Sequence, residues 1–401
     1  MLLNIELDTL DSIIIAISVL FVGRFLVSRI NPLRQYNIPV PVVGGLVFAC
    51  LMATLQTQTD IRLSFDTDLR GFLMLAFFAA VGLTADLTRL KRGGASLVIF
   101  LVVVTVFLVI QNTIGASMAY LLDLHPAIGL LAGSITLSGG HGTGAAWAER
   151  FVEVQNLTGA LELAVASATF GLVIGGVLGG PVSQFLISRY KLQADVGSQS
   201  STASPEVAEE TIQPHAVLGT LLLIMLGVVA GSMLYEVFKD AAVKLPSFIW
   251  ALFVGVLLRN LLGVRGLYRI NEKSLDLLST LALWLALAFT FMGLRLWELL
   301  DLAGPLLIIL LVQSLGTAAF AAFVTFRALG ANYDAAVMAA GHCGFCMGAT
   351  PTAIANMQAV TARYGPSPQA FIVVPMIGAF FIDLLNALVI QGFLSLPHHG
   401  F

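Results

Sequence analysis

The chain has 401 residues, 58% of them hydrophobic and 11% charged, with a mean hydropathy of +0.93 and a formal net charge of −3. Soluble domains carry about 25% charged residues, so a soluble fold is excluded and a polytopic helical membrane protein is implied. The slightly acidic balance argues against a nucleic-acid partner, and the three cysteines Cys50, Cys343 and Cys346 lie in apolar context and supply no disulfide framework.

The N-terminal stretch carries Glu6, Asp8 and Asp11 and no basic residue before Arg24, unlike the basic leader of a secretory signal. The first apolar run, 12–28, therefore reads as a retained membrane helix with its N-terminus outside. Further apolar runs fall at 40–56, 71–86, 95–121, 126–147 and 163–187, and after a polar gap at 216–237, 247–262, 275–294, 303–326, 334–359 and 370–396. Cytoplasmic loops collect Lys and Arg. Arg29, Arg34, Arg89, Lys91, Arg92, Arg189 and Lys191 all lie inside only if 126–147 enters and leaves on the outer face. In the second half, Arg259, Arg265, Arg269, Lys273, Arg327 and Arg363 lie inside only if 334–359 enters and leaves from the cytoplasm. Two re-entrant hairpins from opposite faces follow. An arm of about ten residues reaches roughly 15 Å, half the hydrocarbon thickness, so the two tips are expected to meet near the midplane.

The expected organisation is all-α: an N-terminal membrane repeat (1–191), a polar cytoplasmic linker (192–214) and a C-terminal inverted repeat (215–401), with five crossings in each repeat. Ile38-Pro39-Val40 recurs as Leu245-Pro246-Ser247, Gln111 matches Gln313, and Gly133, Gly140 and Ala145 match Gly341, Gly348 and Ala353. Five crossings is an odd number, so the second copy is turned over in the membrane, the architecture of many secondary transporters. Both termini are then periplasmic.

Each hairpin carries a Gly-rich polar stretch: Ser138-Gly139-Gly140-His141-Gly142-Thr143-Gly144 in the first, and Gly341-His342-Cys343-Gly344 continuing to Thr350-Pro351-Thr352 in the second. Irregular backbone at membrane depth survives only where protein or a watery cavity satisfies it. Glycines allow backbone to bend and to approach a ligand, and a broken helix offers unpaired N–H groups and a positive dipole end to a carboxylate. Tight packing of small residues accounts for neither the histidines nor the clustered hydroxyls. Ser138, Gly139, Gly140, His141, Gly142, Thr143, His342, Thr350, Pro351, Thr352 and Asn356 are the candidate substrate-binding residues. Asp383 sits mid-run, where a carboxylate costs about 2.5–3.5 kcal/mol on insertion scales and is a functional candidate by default. With Asn386 on the same face three residues on, and with Thr136 and Asn356, it makes a candidate oxygen set for Na⁺. The Cys343–Cys346 spacing is that of a redox motif, but without a soluble βαβ context it reads as packing.

At these stretches the chain resembles the bacterial sodium/glutamate symporter family. The resemblance rests on LAGSITLSGGHGTGAAW (131–147) and on AAGHCGF and GATPTAIANMQA within 339–359, with supporting runs LMLAFF (73–78), TFGLV (169–173), NYDAAV (332–337) and GAFFID through NALVI (378–390). The resemblance implies Na⁺-coupled uptake of L-glutamate across the bacterial inner membrane by a multi-pass homodimer. It also implies a mobile domain that carries the site across the bilayer, no organic cofactor, and no enzymatic activity. Cys346-Met347 departs from the family's frequent Gly-Leu. The rival readings are a proton-coupled or citrate-like dicarboxylate carrier, a channel with paired pore loops, and an intramembrane hydrolase using Ser138 and His141.

Overall fold

A computed structural model describes residues 3–58, 61–65, 68–86, 94–194, 211–239, 245–265, 268, 270–294 and 302–395. The central part of the linker, with Ser198–Pro205 and Glu206–Glu210, lies outside these residues, as do Arg89, Lys91, Arg92 and Arg269. Among the described residues, six helices are long and apolar enough to cross a membrane: α1 (Thr9–Arg29), α5 (Gly94–Leu121), α8 (Ala160–Tyr190), α9 (Pro214–Phe238), α11 (Glu272–Met292) and α12 (Ala303–Ala328). Shorter helices complete the chain: α2 (Asn31–Gln35), α3 (Val40–Gln58), α4 (Asp68–Thr84), α6 (Pro126–Ile135), α7 (Gly140–Gln155), α10 (Ser247–Arg265), α13 (Tyr333–Met347), α14 (Thr350–Tyr364) and α15 (368–394). Helices are expected here because only internally bonded backbone is stable in hydrocarbon. One addition departs from an all-helical reading. Leu3–Leu7 and Ile61–Phe65 pair as two short parallel strands, β1 and β2, with Leu3 opposite Ile61.

The helices sort into two groups. A panel of α1, α3, α4, α9, α10 and α11 packs around the crossings of α4 with α10 and α11. Glycine makes the α4–α10 crossing possible: a Cβ at Gly82 would lie 2.1 Å from the Leu252 carbonyl oxygen, and one at Gly255 2.3 Å from that of Ala79. At one end of these helices Arg259 Nη2 bonds Glu272 Oε1 at 2.6 Å and Asp86 Oδ2 at 3.3 Å, tying α10 to α11 and to the end of α4. The outer faces of α1 and α9 expose Leu10, Ile14, Phe21, Leu222 and Met233, as lipid-facing surfaces do.

The second group, the core, comprises α5, α6, α8 and α12 to α15. Here Phe100, Phe107, Phe326 and Phe345 are fully buried. Helix α7 joins the groups. Trp147 and Phe248 have ring centroids 5.5 Å apart, Phe78 packs on Phe248 at 4.7 Å, and Arg70 of α4 pairs with Glu149 of α7. A cavity of about 190 Å³ marks this seam.

Candidate functional site

Helices α6 and α7 form one hairpin, and α13 and α14 another. The incoming arms are capped by side chains: His125 Nδ1 accepts from the Ala127 N–H at 3.2 Å, and Asn332 Oδ1 from the Ala335 N–H at 2.9 Å. The outgoing arms are not. Helices α7 and α14 begin behind Gly139 and Ala349, neither of which supplies a side-chain cap. The first N–H groups of each therefore have no partner within the helix and no cap from the preceding side chain, and in α14 Pro351 contributes no N–H at all. The two starts approach one another, since a Cβ built on Gly140 would lie 3.9 Å from the Gly348 carbonyl oxygen. Gly140 has φ +70, where a side chain is strained.

The breaks are shorter than the Gly-rich stretches suggested. In the first hairpin the backbone leaves helical geometry at Gly133 (φ −105, ψ −137) and α7 resumes at Gly140, so His141, Gly142 and Thr143 are helical. In the second, α13 runs unbroken to Met347 and only Gly348 and Ala349 leave helical geometry, Ala349 being extended. Glycine alone does not interrupt a helix whose neighbours press on it. Gly341 and Gly344 instead admit Val374 and the backbone of Ala353 within 2.8 Å of their would-be Cβ atoms.

Buried amides from α5 and α12 hold the breaks. Gln111 Nε2 donates to the Cys346 carbonyl at 3.0 Å, while Gln111 Oε1 accepts from the Ser138 hydroxyl at 2.7 Å, so one side chain spans both hairpins. Gln313 Nε2 donates to the Gln111 carbonyl at 2.7 Å. At the first break, the Ser134 N–H donates to Asn112 Oδ1 at 3.0 Å, and its carbonyl accepts from Asn386 Nδ2 at 2.8 Å. Carbonyls at the ends of both incoming arms, those of Ser134 and Cys346, are thus bonded internally, whereas the outgoing arms begin without a side-chain cap.

The expected site residues divide accordingly. Gly139, Gly140 and Thr350 are half-buried and Pro351 is exposed, all at the paired helix starts. Asp383 lies near the Thr143 hydroxyl, which brings α15 beside the first of those starts. His141 is buried just behind them, with Nε2 3.1 Å from Thr169 Oγ1 of α8. Thr352 is buried with no partner for its hydroxyl among the described residues.

Other residues stand elsewhere. Ser138 serves the Gln111 brace. Gly142 packs on Phe77 and Leu283 of the panel. Thr136 turns its hydroxyl back to the Leu131 carbonyl at 2.5 Å. Asn356 donates to the carbonyls of Gly175 at 2.8 Å and Ala340 at 3.3 Å, locking α14 to α8 and α13. His342 does not line the helix starts. Its ring is 0% exposed, has its centroid 5.0–5.7 Å from those of Phe107, Phe100, Phe345 and Phe320, and bonds Thr325 Oγ1 through Nδ1 at 2.9 Å. The free thiols Cys343 and Cys346 are both buried. The braces Gln111, Asn112 and Gln313 were not among the candidate site residues. Their signal was available, since adjacent amides inside a 28-residue apolar helix are costly unless they bond something.

A profile of the sodium/glutamate symporter family matches residues 5–366. This chain belongs to that family. It is 49% identical over 396 residues to the sodium/glutamate symporter of Escherichia coli (strain K12), covering 98% of each chain. It is 46% identical over 389 residues to that of Haemophilus influenzae, covering 96% of each. Members of this family are transporters rather than enzymes, so Ser138 and His141 need no hydrolytic role, and Ser138 is bound to an amide rather than to a base.

Proposed function

We propose that the protein is a secondary active symporter that uses a Na⁺ gradient to carry L-glutamate into the cell. The observation that carries the substrate side is the pair of uncapped helix starts at Gly140 and Thr350, drawn together from two hairpins. Each is a ready anion site through its free N–H groups and dipole. Two such sites suit a molecule with two carboxylates. Thr143, Thr350 and Thr352 supply hydroxyls beside them, and His141 backs the first start through Thr169. On the cation side, Asp383 and Asn386 of α15 reach the same hairpin and offer hard oxygen donors of the kind Na⁺ requires.

In this reading the hairpins are re-entrant from opposite faces of a bacterial inner membrane, and the two halves are inverted repeats. Contacts between matching positions support the repeat. Ser138 Oγ lies 3.3 Å from the carbonyl of Cys346, and 346 − 138 = 208, the offset that also relates Gly133 to Gly341 and Gly140 to Gly348. The termini lie in the periplasm and the linker in the cytoplasm. The core moves as a unit against the panel, which forms the fixed part of a homodimer. Na⁺ binding organises the broken backbone, glutamate then joins the helix starts, and the loaded core exposes them inside.

The test is uptake of labelled L-glutamate by proteoliposomes, comparing an inward Na⁺ gradient with an equal K⁺ gradient at fixed pH and voltage. Saturable accumulation with Na⁺ alone is the expected result. Equal uptake in K⁺, or flux that never saturates, would overturn it.

A further inference from the structure

The unwound turn at Gly133–Ser134 has more polar groups than its protein bonds consume. The Ser134 N–H has to meet an acceptor and its carbonyl a donor, so the chemistry fixes both clamping amides: Asn112 presents Oδ1 and Asn386 presents Nδ2. Three buried atoms are then left without a protein partner among the described residues: Ser134 Oγ, Asn386 Oδ1 and Asn112 Nδ2. All three residues are 0% exposed. Four buried hydroxyls elsewhere in these helices, those of Thr220, Thr290, Ser314 and Thr317, bond the carbonyl four residues back at 2.7–2.8 Å, whereas those of Ser167, Ser274 and Thr352 have no partner among the described residues. Ser134 makes no such bond, because the chain bends at Gly133.

An oxygen left bare at this depth costs about 1–3 kcal/mol, and two at one unwound residue, Ser134 Oγ itself and Oδ1 of the amide that bonds its carbonyl, are better explained by something that binds them. We propose that this turn is a Na⁺ site, with Ser134 Oγ and Asn386 Oδ1 as side-chain donors and Asn112 as the positioning residue. Its Nδ2–H holds a water that completes the shell. The charge that makes a cation preferable comes from Asp383, three residues before Asn386 on the same helix. The second hairpin has no equivalent. His342 takes the place of Ser134 at the 208-residue offset, and its Nδ1 bonds Thr325 within a ring of phenylalanines. The site is therefore single, and it couples to substrate mechanically. A cation here fixes the incoming arm whose outgoing partner starts at Gly140. The inference rests on the Na⁺-symport reading and names the oxygens of one site within it.

The experiment measures thermal stabilisation of the purified protein by NaCl against an equal ionic strength of choline chloride, without glutamate. A ligand that binds only the folded form raises stability with concentration. For S134A the half-effective Na⁺ concentration is expected to rise by about five- to tenfold, as loss of one ion-bonding group implies. For N112D, which keeps the acceptor for the Ser134 N–H but brings a carboxylate toward the ion, it is expected to fall. Half-effective concentrations unchanged in both variants, with a normal Na⁺ response in the parent, would show that the three atoms hold only water. That would overturn the site while leaving symport intact. A parent protein with neither Na⁺ stabilisation nor Na⁺-dependent uptake would overturn both.

Discussion

Gln313 Nε2 donates to the backbone carbonyl of Gln111 at 2.7 Å, so two glutamines at matching places in the two halves touch. Gln111 carries both hairpins from this point, through Ser138 on one side and Cys346 on the other. Replacing it with leucine leaves the buried Ser138 hydroxyl and Cys346 carbonyl only their long 3.3 Å contact with each other, a loss of about 1–3 kcal/mol. Q111L is expected to lower the melting temperature by several degrees and to abolish uptake at normal expression. A variant with parental thermal stability and parental transport would show that the tips do not depend on this brace.

Gly140 is expected to be intolerant for a reason other than space. Only the Gly348 oxygen, at 3.9 Å, lies near its would-be Cβ, yet its φ is +70. Alanine there costs about 1–2 kcal/mol in backbone strain and tilts the first N–H groups of α7. Gly392, in the last turn of α15 with nothing within 4 Å of its would-be Cβ, is the contrast. Alanine there removes a flexible residue and adds about 0.5–1 kcal/mol of helix stability. Thermal denaturation should separate the two in sign, and glutamate KM should rise for G140A alone.

Asp383→Asn keeps the shape of the side chain and its contact with Thr143 while removing the charge. The half-saturating Na⁺ concentration for uptake should rise by about tenfold or more, in line with the greater strength of charged interactions. Membrane expression should stay near normal. Na⁺ activation indistinguishable from the parent would remove Asp383 from the cation path.

His342 is predicted to matter for packing and not for binding. H342F fits the surrounding phenylalanines but gives up the bond to Thr325 and risks overpacking, a cost of about 1–3 kcal/mol. The melting temperature should fall while the glutamate KM of the surviving protein stays within twofold. A tenfold rise in KM at unchanged stability would return His342 to the substrate.

At the base of the second hairpin, outside the apolar span, Tyr333 donates its hydroxyl to the Gly365 carbonyl at 2.5 Å. Burial, and then the negative charge of Asp334, push its phenol up to about 12 from an ordinary value of 10.0. The folded state thus favours the neutral form. Its contribution is whole below pH 10 and disappears as pH rises toward 12. Alkaline denaturation followed by tyrosine absorbance should show one late-titrating phenol that Y333F lacks, and Y333F should lose less stability than the parent across that window.

The amount of the fold visible in the sequence follows from how strongly each feature is forced. Hydrocarbon demands helices, so apolar runs and their boundaries were legible, and arginine and lysine placement implied two segments that turn back. The Gly-rich stretches pointed to the right hairpins but overstated the breaks, because His342 to Met347 remain helical where packing from α8 and α15 supports them. Gln111 and Gln313 were legible as a repeated pair but not as braces, since their carbonyl partners lie more than 200 residues away in the chain and the Ser138 hydroxyl lies 27 residues on, in the first hairpin. The β1–β2 pairing left no readable signal either. It joins two five-residue strands separated by more than fifty residues, too short and too far apart for periodicity to reveal.

In the proposed binding mode the helix starts at Gly140 and Thr350 attract anions through peptide groups rather than through lysine or arginine. Peptide N–H groups do not titrate in the range a cell experiences, and their direction is set by the fold rather than by a flexible side chain. The pull on a carboxylate is therefore constant as the cytoplasm or periplasm acidifies. A symporter that binds its substrate in this way keeps its grip on the amino acid as external pH drifts, leaving the cation gradient as the variable that drives accumulation.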